Sequence, residues 1–317
     1  MKDIKNKSIA KLNEIRYELS HTYPLEESVN KGICVYACGS LGRLEMTDAS
    51  DLDPFFIKMT DENKKSPFSD SYASAFIENF KKINAKLRYP PPSNNGEYWK
   101  FINRYDLLDI GSRQEDYNNS FTARMLLILE SKPIYNINAY NQLLKETIDR
   151  YFKDYNDHSE QFFPLFLMND IWRYWYTLTL NYEYGRDDSD NENKKNWKRL
   201  KLKFARHITC FSMLACLFKD KINSSYVIDC IKKTPFERLL MLAETIDGIN
   251  EIIQKIEDEY LWYLSLRQEK DQSWWNTKDN KLLAENKADI FHKSVIHELM
   301  KLVSQTNLDL FNKTDIF

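Results

Sequence analysis

The sequence predicts an α+β protein, with a small sheet near the N-terminus followed by an all-α half. Three observations carry that expectation. A strand-turn-helix-strand pattern occupies about residues 32–59, every periodic apolar segment from Asn138 onward has helical spacing, and only seven glycines and nine prolines interrupt 317 residues, a composition suited to long helices. A chain of 317 residues exceeds what one core usually organises, so two domains are expected, at 1–136 and 137–317,.

Ile4, Ile9, Leu12, Ile15 and Leu19 recur at helical spacing and predict a first helix over 3–20 that packs on the sheet,. The run Ile33 to Cys38 is short, apolar and partly β-branched and stops at Gly39-Ser40, so it reads as a buried strand entering a tight turn,. Helix formers follow from Ser40 to Glu45, and a second strand is expected from Asp51 through Phe55, Phe56 and Ile57. Pro54 donates no ladder hydrogen bond, so this strand should be interrupted, bulged or paired on one side only at that point. Beyond a polar stretch at 60–66, Phe76, Phe80 and Ile83 predict a helix over 70–87, and three consecutive prolines at 90–92 a loop over 88–96. A helix is predicted over 118–132, ending before Pro133. In the second half the helices are expected over 138–154, 164–184, 197–219, 235–266 and 283–306, with a polar loop at 185–196.

The stretch from Cys38 to Asp53 carries the candidate chemistry. A glycine at position 39 lets the backbone approach a ligand closely, and a strand-turn-helix start presents free N–H groups to an anion, so phosphate oxygens are natural guests of Gly39 and Ser40. Strand residues alternate faces, which sends Asp51 and Asp53 to one side and Leu52 into the fold. Two such carboxylates repel each other unless a cation lies between them; magnesium, a hard ion that also bridges phosphates, suits them. Taken singly, Asp-x-Asp reads as a solvated strand end and Gly-Ser as a loop. In this order, with apolar strands on both sides, they read together as a nucleotide site. Arg43 either reaches a phosphate, pins Glu45 or Asp51, or makes a surface ion pair of little worth.

Gly39-Ser40, a gap of ten, then Asp51 and Asp53 resembles the signature of the DNA polymerase β nucleotidyltransferase superfamily. The fuller form, Gly39-Ser40-x-Gly42-Arg43-x-Glu45 ending in Ser50-Asp51-Leu52-Asp53, resembles more narrowly the bacterial protein uridylyltransferases and adenylyltransferases of nitrogen regulation and the stand-alone nucleotidyltransferases related to them. The resemblance is dense from Cys38 to Asp53 and thins beyond about residue 130. It implies a nucleotidyltransferase domain with a small mixed sheet flanked by helices, nucleotide contacts from Gly39, Ser40, Arg43 and Ser50, and a trio of catalytic carboxylates that ligate two magnesium ions, with manganese as a substitute. Asp51 and Asp53 are two of the trio; the third is implied on a later strand. Asp109, within Leu107-Leu108-Asp109-Ile110-Gly111, is the preferred position because its surroundings resemble the family's strand. Asp106 is the competitor, and capping of a helix starting near Arg113 is the plainer alternative. Glu45 is kept outside the trio by the family motif, and Thr122-Ala123-Arg124 is similar to the segment that follows the third carboxylate. The implied reaction transfers a nucleoside monophosphate from ATP or UTP to a hydroxyl, on a protein side chain or an RNA, with release of pyrophosphate. The alternative is a regulatory module that binds nucleotide without turnover.

In the helical half, Arg199, Lys203 and Arg206 form a basic ridge opposite the stripe of Trp197, Leu200, Phe204 and Ile208,. It reads either as a nucleotide or polyanion contact or as an ordinary solvated face. Asn169, Asp170 and Arg173 lie among Trp172, Tyr174, Trp175 and Tyr176, as a base-stacking arginine or as a satisfied buried pair. His292 and His297, five apart, are too far round an α-helix to share a metal. A net charge of −2 gives no global reason to bind nucleic acid or an anionic membrane,. No apolar run approaches the roughly 20 residues of a bilayer span, and Met1 to Lys7 lacks a signal-peptide core. Five cysteines without a Cys-x-x-Cys pair argue for reduced thiols,. A cytoplasmic protein with no membrane partner is therefore expected.

Overall fold

A computed structural model of the chain describes residues 2–48, 50–60, 68–92, 96, 99–110, 119–157, 159, 162–184, 192–269, 272–305 and 307. The chain divides into two compact units, Met1–Lys153 and Asp154–Phe317.

In the N-terminal unit, α1 (Lys2–Thr22) buries Leu12, Ile15 and Leu19 on one face. The short α2 (Ser28–Lys31) leads into β1 (Ile33–Cys38), a single turn α3 (Gly39–Gly42) and β2 (Asp53–Lys58). Helix α4 (Asp70–Lys86) starts at Ser69, whose hydroxyl accepts the Tyr72 N–H as an N-cap,. β3 (Phe101–Asn103), α5 (Arg104–Leu108), α6 (Ser120–Glu130), β4 (Lys132–Tyr135) and α7 (Ile137–Tyr151) complete the unit. The four strands lie in the order β3-β2-β1-β4. β1 runs antiparallel to β2 and β4, and β3 runs parallel to β2, so the sheet is mixed.

β1 is buried at every position because helices cover both of its faces. Ile33, Val35 and Ala37 share one core with Leu12, Ile15 and Leu19 of α1 and Phe76 and Phe80 of α4. On the other face the Tyr36 hydroxyl donates to the Ala123 carbonyl of α6 at 2.9 Å, and its ring packs near Tyr140 of α7. An unbroken apolar run is what a strand covered on both sides requires. Pro54 lies opposite Ala37, and β3 pairs with β2 only from Phe56 onward. The proline thus sits where its strand is paired on one side, one of the three outcomes expected for it.

Three expectations need correction here. No strand runs through Asp109: Leu107 and Leu108 end α5, and both are buried, which adjacent residues of one strand facing a single core would not be,. The third strand is Phe101–Asn103, too short to stand out in the sequence. The helix expected from 137 onward does not open the second domain, since α7 packs on the sheet. Asn136 caps its first turn by accepting the Ala139 N–H and also donates to the carbonyls of Lys31 and Ile33, tying α7 to the start of β1. The division therefore falls after Lys153 rather than after 136. The helix start near Arg113, nearly all of the polar stretch at 60–66 and residues 185–191 of the loop expected at 185–196 lie outside the described residues, while the rest of that loop is helical, within Glu192–Lys201.

Among its described residues the regular elements of the C-terminal unit are all helical: a 3-10 turn at Tyr155–Asp157, α8 (Leu165–Tyr184), α9 (Glu192–Lys201), a π-helical turn at Leu202–Arg206, α10 (His207–Leu217), α11 (Ser224–Lys232), α12 (Pro235–Ala243), α13 (Ile249–Glu269), a 3-10 turn at Gln272–Asn276, α14 (Lys278–Lys293), a second π-helical segment at Ser294–Met300, and α15 (Lys301–Gln305). Every residue of α10 is buried, as befits a helix that is apolar all round,. The helix expected over 235–266 breaks at Gly248, where φ is +79°,. Helix α12 opens with a reciprocal capping box between Thr234 and Glu237,. All five cysteines are buried and free, and among the described residues no helix is long and apolar enough to cross a membrane.

The π-helical segments overturn the spacing argument for the histidines. A π-helix closes its hydrogen bonds at i→i+5 and so brings residues five apart onto one face. The rings of His292 and His297 accordingly meet edge-on at 6.2 Å. His292 also stacks on His207 at 5.1 Å, whose other face meets Trp175 at 5.1 Å. Among the described residues no three His, Cys, Asp or Glu side chains are grouped so as to hold a metal. Burial, and then the charge of His292, push the His207 pKa down to about 3,. Its neutral ring therefore contributes full stability above about pH 6.5, the ordinary histidine value, and that contribution is lost as pH falls toward the folded-state value. Thermal melts of the wild type and His207→Phe should agree in slope above pH 7. Between pH 6 and 4 the wild type should lose melting temperature faster than the variant; parallel curves over that range would remove His207 as the cause.

Candidate functional site

At the end of β1 the chain turns through Gly39, whose φ of +63° is the left-handed region that a side chain resists,. A Cβ at this position would lie 2.5 Å from the Oδ2 of Asp53. The carboxylate of Asp53 is thus seated directly against the Gly39 backbone, and the glycine is needed for both its torsion and its missing side chain. Gly42 is held by a different neighbour: a Cβ there would fall 1.8 Å from the Glu130 carbonyl oxygen, so only glycine lets this turn pass the end of α6.

The turn ends in a Schellman arrangement. The Glu45 N–H reaches back to the Ser40 carbonyl at 2.7 Å and the Leu44 N–H to the Leu41 carbonyl at 3.0 Å,. Leu44 occupies the position usually taken by glycine, at φ +58°. Its side chain is part of the buried core, which offsets a conformational cost of roughly 1–2 kcal/mol,.

Beneath the bend lies a buried charged network. Arg43 is 2 % exposed and Glu130 is 3 % exposed. The Arg43 Nη1 meets Glu130 Oε2 at 2.5 Å, and its Nε meets Glu45 Oε2 at 2.8 Å. The other oxygen of Glu130, Oε1, accepts the Gly39 N–H at 3.2 Å. One carboxylate therefore fixes both the first amide of the bend and the arginine that follows it.

This geometry reassigns two of the expected nucleotide contacts. Arg43 lies in the interior with its Nε and Nη1 engaged by Glu45 and Glu130, and so pins Glu45 rather than reaching a phosphate. Ser50 is 4 % exposed and spends its hydroxyl on a local turn, accepting the Thr47 N–H at 3.0 Å,. Gly39 and Ser40 stay at the bend, but the Gly39 amide is already taken by Glu130. Asp51 and Asp53 are both half-buried and flank Leu52, which is 2 % exposed and in the core. The expected alternation, with the acids out and the leucine in, is present. Asp109 is exposed at the C-terminal end of α5, off any strand, while Asp106 sits in the first turn of α5 and accepts from the Asn103 amide at 3.1 Å. The carboxylates of Asp51, Asp53 and Asp109 do not gather into a metal-holding group.

In the helical unit the basic ridge is an interhelical ladder. Arg199 pairs with Glu285 at 2.8 Å and Lys203 with Asp289 at 3.1 Å, both carboxylates lying on α14, while Lys281 of α14 returns to Glu192 at 2.7 Å. These pairs border a cleft of about 230 Å³ between α9 and α14. Arg206 is half-buried on the π-helical turn. The ridge answers to acidic partners on a neighbouring helix rather than standing as an open cationic face. Asp170 is 2 % exposed and lies 3.5 Å from Arg173, whose side chain is exposed, so only the acid of that pair is buried.

Glu130 is the residue that motif reading missed. Its signal was an acid closing the apolar run Met125–Leu129 at the C-terminal end of a helix, where the helix dipole disfavours negative charge and some other partner must compensate,. Comparison with protein-family models, curated proteins and solved structures returned no match to this chain.

Removing one partner of a buried ion pair strands the other. Glu130→Ala should therefore lower stability by about 3–5 kcal/mol in denaturant melts; a loss under about 1 kcal/mol would mean that water already reaches the network. Gly39→Ala should cost roughly 1–2 kcal/mol from its torsion alone. Because it also displaces Asp53, the loss measured in the same melts should exceed that figure.

Proposed function

We propose that the N-terminal unit is a magnesium-dependent nucleotidyltransferase that moves a nucleoside monophosphate from a triphosphate, ATP or UTP, to a hydroxyl acceptor and releases pyrophosphate. The observation that carries this reading is the seating of the Asp53 carboxylate on the Gly39 backbone, 2.5 Å from where a Cβ would stand. It joins the two halves of the sequence signature, the Gly-Ser bend and the Asp-x-Asp pair, in one place. Asp51 and Asp53 supply hard oxygen donors and fit magnesium in chemistry; they are the residues that would hold it. Bound there, the ion supplies charge neutralisation at the phosphates and a lowered pKa for the attacking hydroxyl.

The chain's own residues then divide the work. Ser40, buried in the bend at 7 % exposure, is the residue that would offer its amide and hydroxyl to phosphate oxygens,. Glu130, Arg43 and Glu45 hold the bend rigid, so that no reorganisation is needed when the substrate arrives. Asp109 has the acceptor-side role by resemblance alone, since it does not gather with Asp51 and Asp53,. A protein hydroxyl is the preferred acceptor, by resemblance, with RNA as the other. The exposed, off-strand position of Asp109 favours a second reading, a nucleotide-binding module without turnover.

The test is the double variant Asp51→Asn, Asp53→Asn. Incubation with each labelled triphosphate, magnesium and a host lysate should label an acceptor with the wild type and none with the variant, whose melting temperature should be unchanged or higher once carboxylate repulsion is relieved. Transfer that persists in the variant would sink the assignment. Stabilisation by triphosphate without any pyrophosphate release would select the binding module.

A further inference from the structure

The cleft of about 230 Å³ between α9 and α14 is lined by groups of three kinds. The first is apolar: Leu200 of α9 with Ala284 and Ala288 of α14, all three buried. The two alanines are four apart, so they share a face of their helix and leave space that longer side chains would fill. The second is a pair of buried donors. Trp275, in the 3-10 turn before α14, is 3 % exposed, and its ring is fixed edge-on by Trp197 at 5.4 Å and Trp274 at 4.8 Å. Its Nε1 and the Nδ2 of Asn196 are buried and meet no acceptor among the described residues. Burying an N–H without an acceptor is costly, and native chains retain few such groups. Two of them lining one cleft call for a guest that accepts hydrogen bonds.

The third kind is cationic. Arg199, Lys203 and Lys281 line the cleft, and each is paired with an exposed acid, Glu285, Asp289 and Glu192 respectively. Ion pairs so open to water are held weakly, so a cation can be shared with an acceptor inside the cleft at little loss. Arg199 meets Glu285 through one nitrogen, Nη1, and its planar fork of five N–H donors suits a carboxylate as well,. Size sets the last limit. The cleft is smaller than the roughly 300–1,000 Å³ of drug-sized sites, which rules out a whole nucleotide or peptide and admits a molecule of a few carbons,.

We propose that this cleft is a binding site for a small aliphatic carboxylate. The carboxylate accepts from the Trp275 indole, the Asn196 amide and the Arg199 guanidinium, and its short hydrocarbon body lies on Leu200, Ala284 and Ala288. The apolar wall selects against an inorganic anion of the same charge. The site lies wholly within the helical unit and is independent of the nucleotidyltransferase reading.

Butyrate, its uncharged analogue butyramide and orthophosphate serve as probes in ligand-observed NMR titrations of the full chain. Butyrate should bind saturably at one site per chain, and butyramide and orthophosphate at least tenfold more weakly. Trp275→Phe keeps the ring and removes the N–H, and should weaken butyrate binding by about tenfold; Arg199→Gln should do the same. Asn196→Ala, at a half-buried position, carries the comparison if Trp275→Phe does not fold. Glu285→Gln removes a negative charge that competes for Arg199 and should tighten binding. Ala288→Leu fills the cleft and should abolish binding in a chain that melts no earlier than the wild type. Absence of saturable butyrate binding, butyramide or orthophosphate binding as tightly as butyrate, or binding unchanged by Ala288→Leu would overturn the proposal.

Discussion

Glu130 occupies the interior of the N-terminal unit with both carboxylate oxygens engaged, one by the amide of Gly39 and the other by the guanidinium of Arg43. A carboxylate in that position is tolerable only while both partners are present, since an uncompensated charge in low dielectric costs several kcal/mol. The left-handed torsion of Gly39, the close pass of Gly42 under the α6 carbonyl and the strained Leu44 all follow from bringing the bend to this anchor. The backbone strain that collects around the bend is stored against the well-packed frame of β1 and α6.

That frame has a simple logic. β1 is sandwiched between α1 and α4 on one face and α6 and α7 on the other, so it is the least movable element of the unit and the bend at its end inherits its rigidity. β2 meets it in antiparallel register, with Asp53 opposite Cys38, and this puts the acid at the same end of the sheet as the bend. Proximity of the two motif halves is a matter of strand register, and strand register is set by which residues must be buried. Leu52 in the core and Phe56 beneath the aromatic layer of Phe76 and Phe80 leave Asp53 one place to go.

The helical unit shows how a local pattern can be read correctly in spacing and differently in meaning. Arg199 and Lys203 lie on one face as their positions require, yet their charge is matched by Glu285 and Asp289 at the same four-residue interval on α14,. Two ladders of complementary period dock against each other, and a ridge seen in one strip of sequence is half of a contact. The histidines teach the converse: a five-residue interval excludes a shared face in an α-helix and creates one in a π-helix, which is a choice made by packing,.

Much of the site was legible before any coordinates. The apolar run ending at Gly39-Ser40, the alternation of Asp51, Leu52 and Asp53, and the penalty on Pro54 are local constraints, written by torsions, face alternation and missing donors, and the structure carries each of them. Local chemistry determined which residues form the bend and which way the acids turn. The role of Arg43, the anchoring by Glu130 and the placement of Asp109 on a short helix were decided only by tertiary contacts, because each depends on a partner between 15 and 91 positions away. A buried ion pair or a capped carbonyl is a property of two distant segments at once, and no window along a single chain contains both.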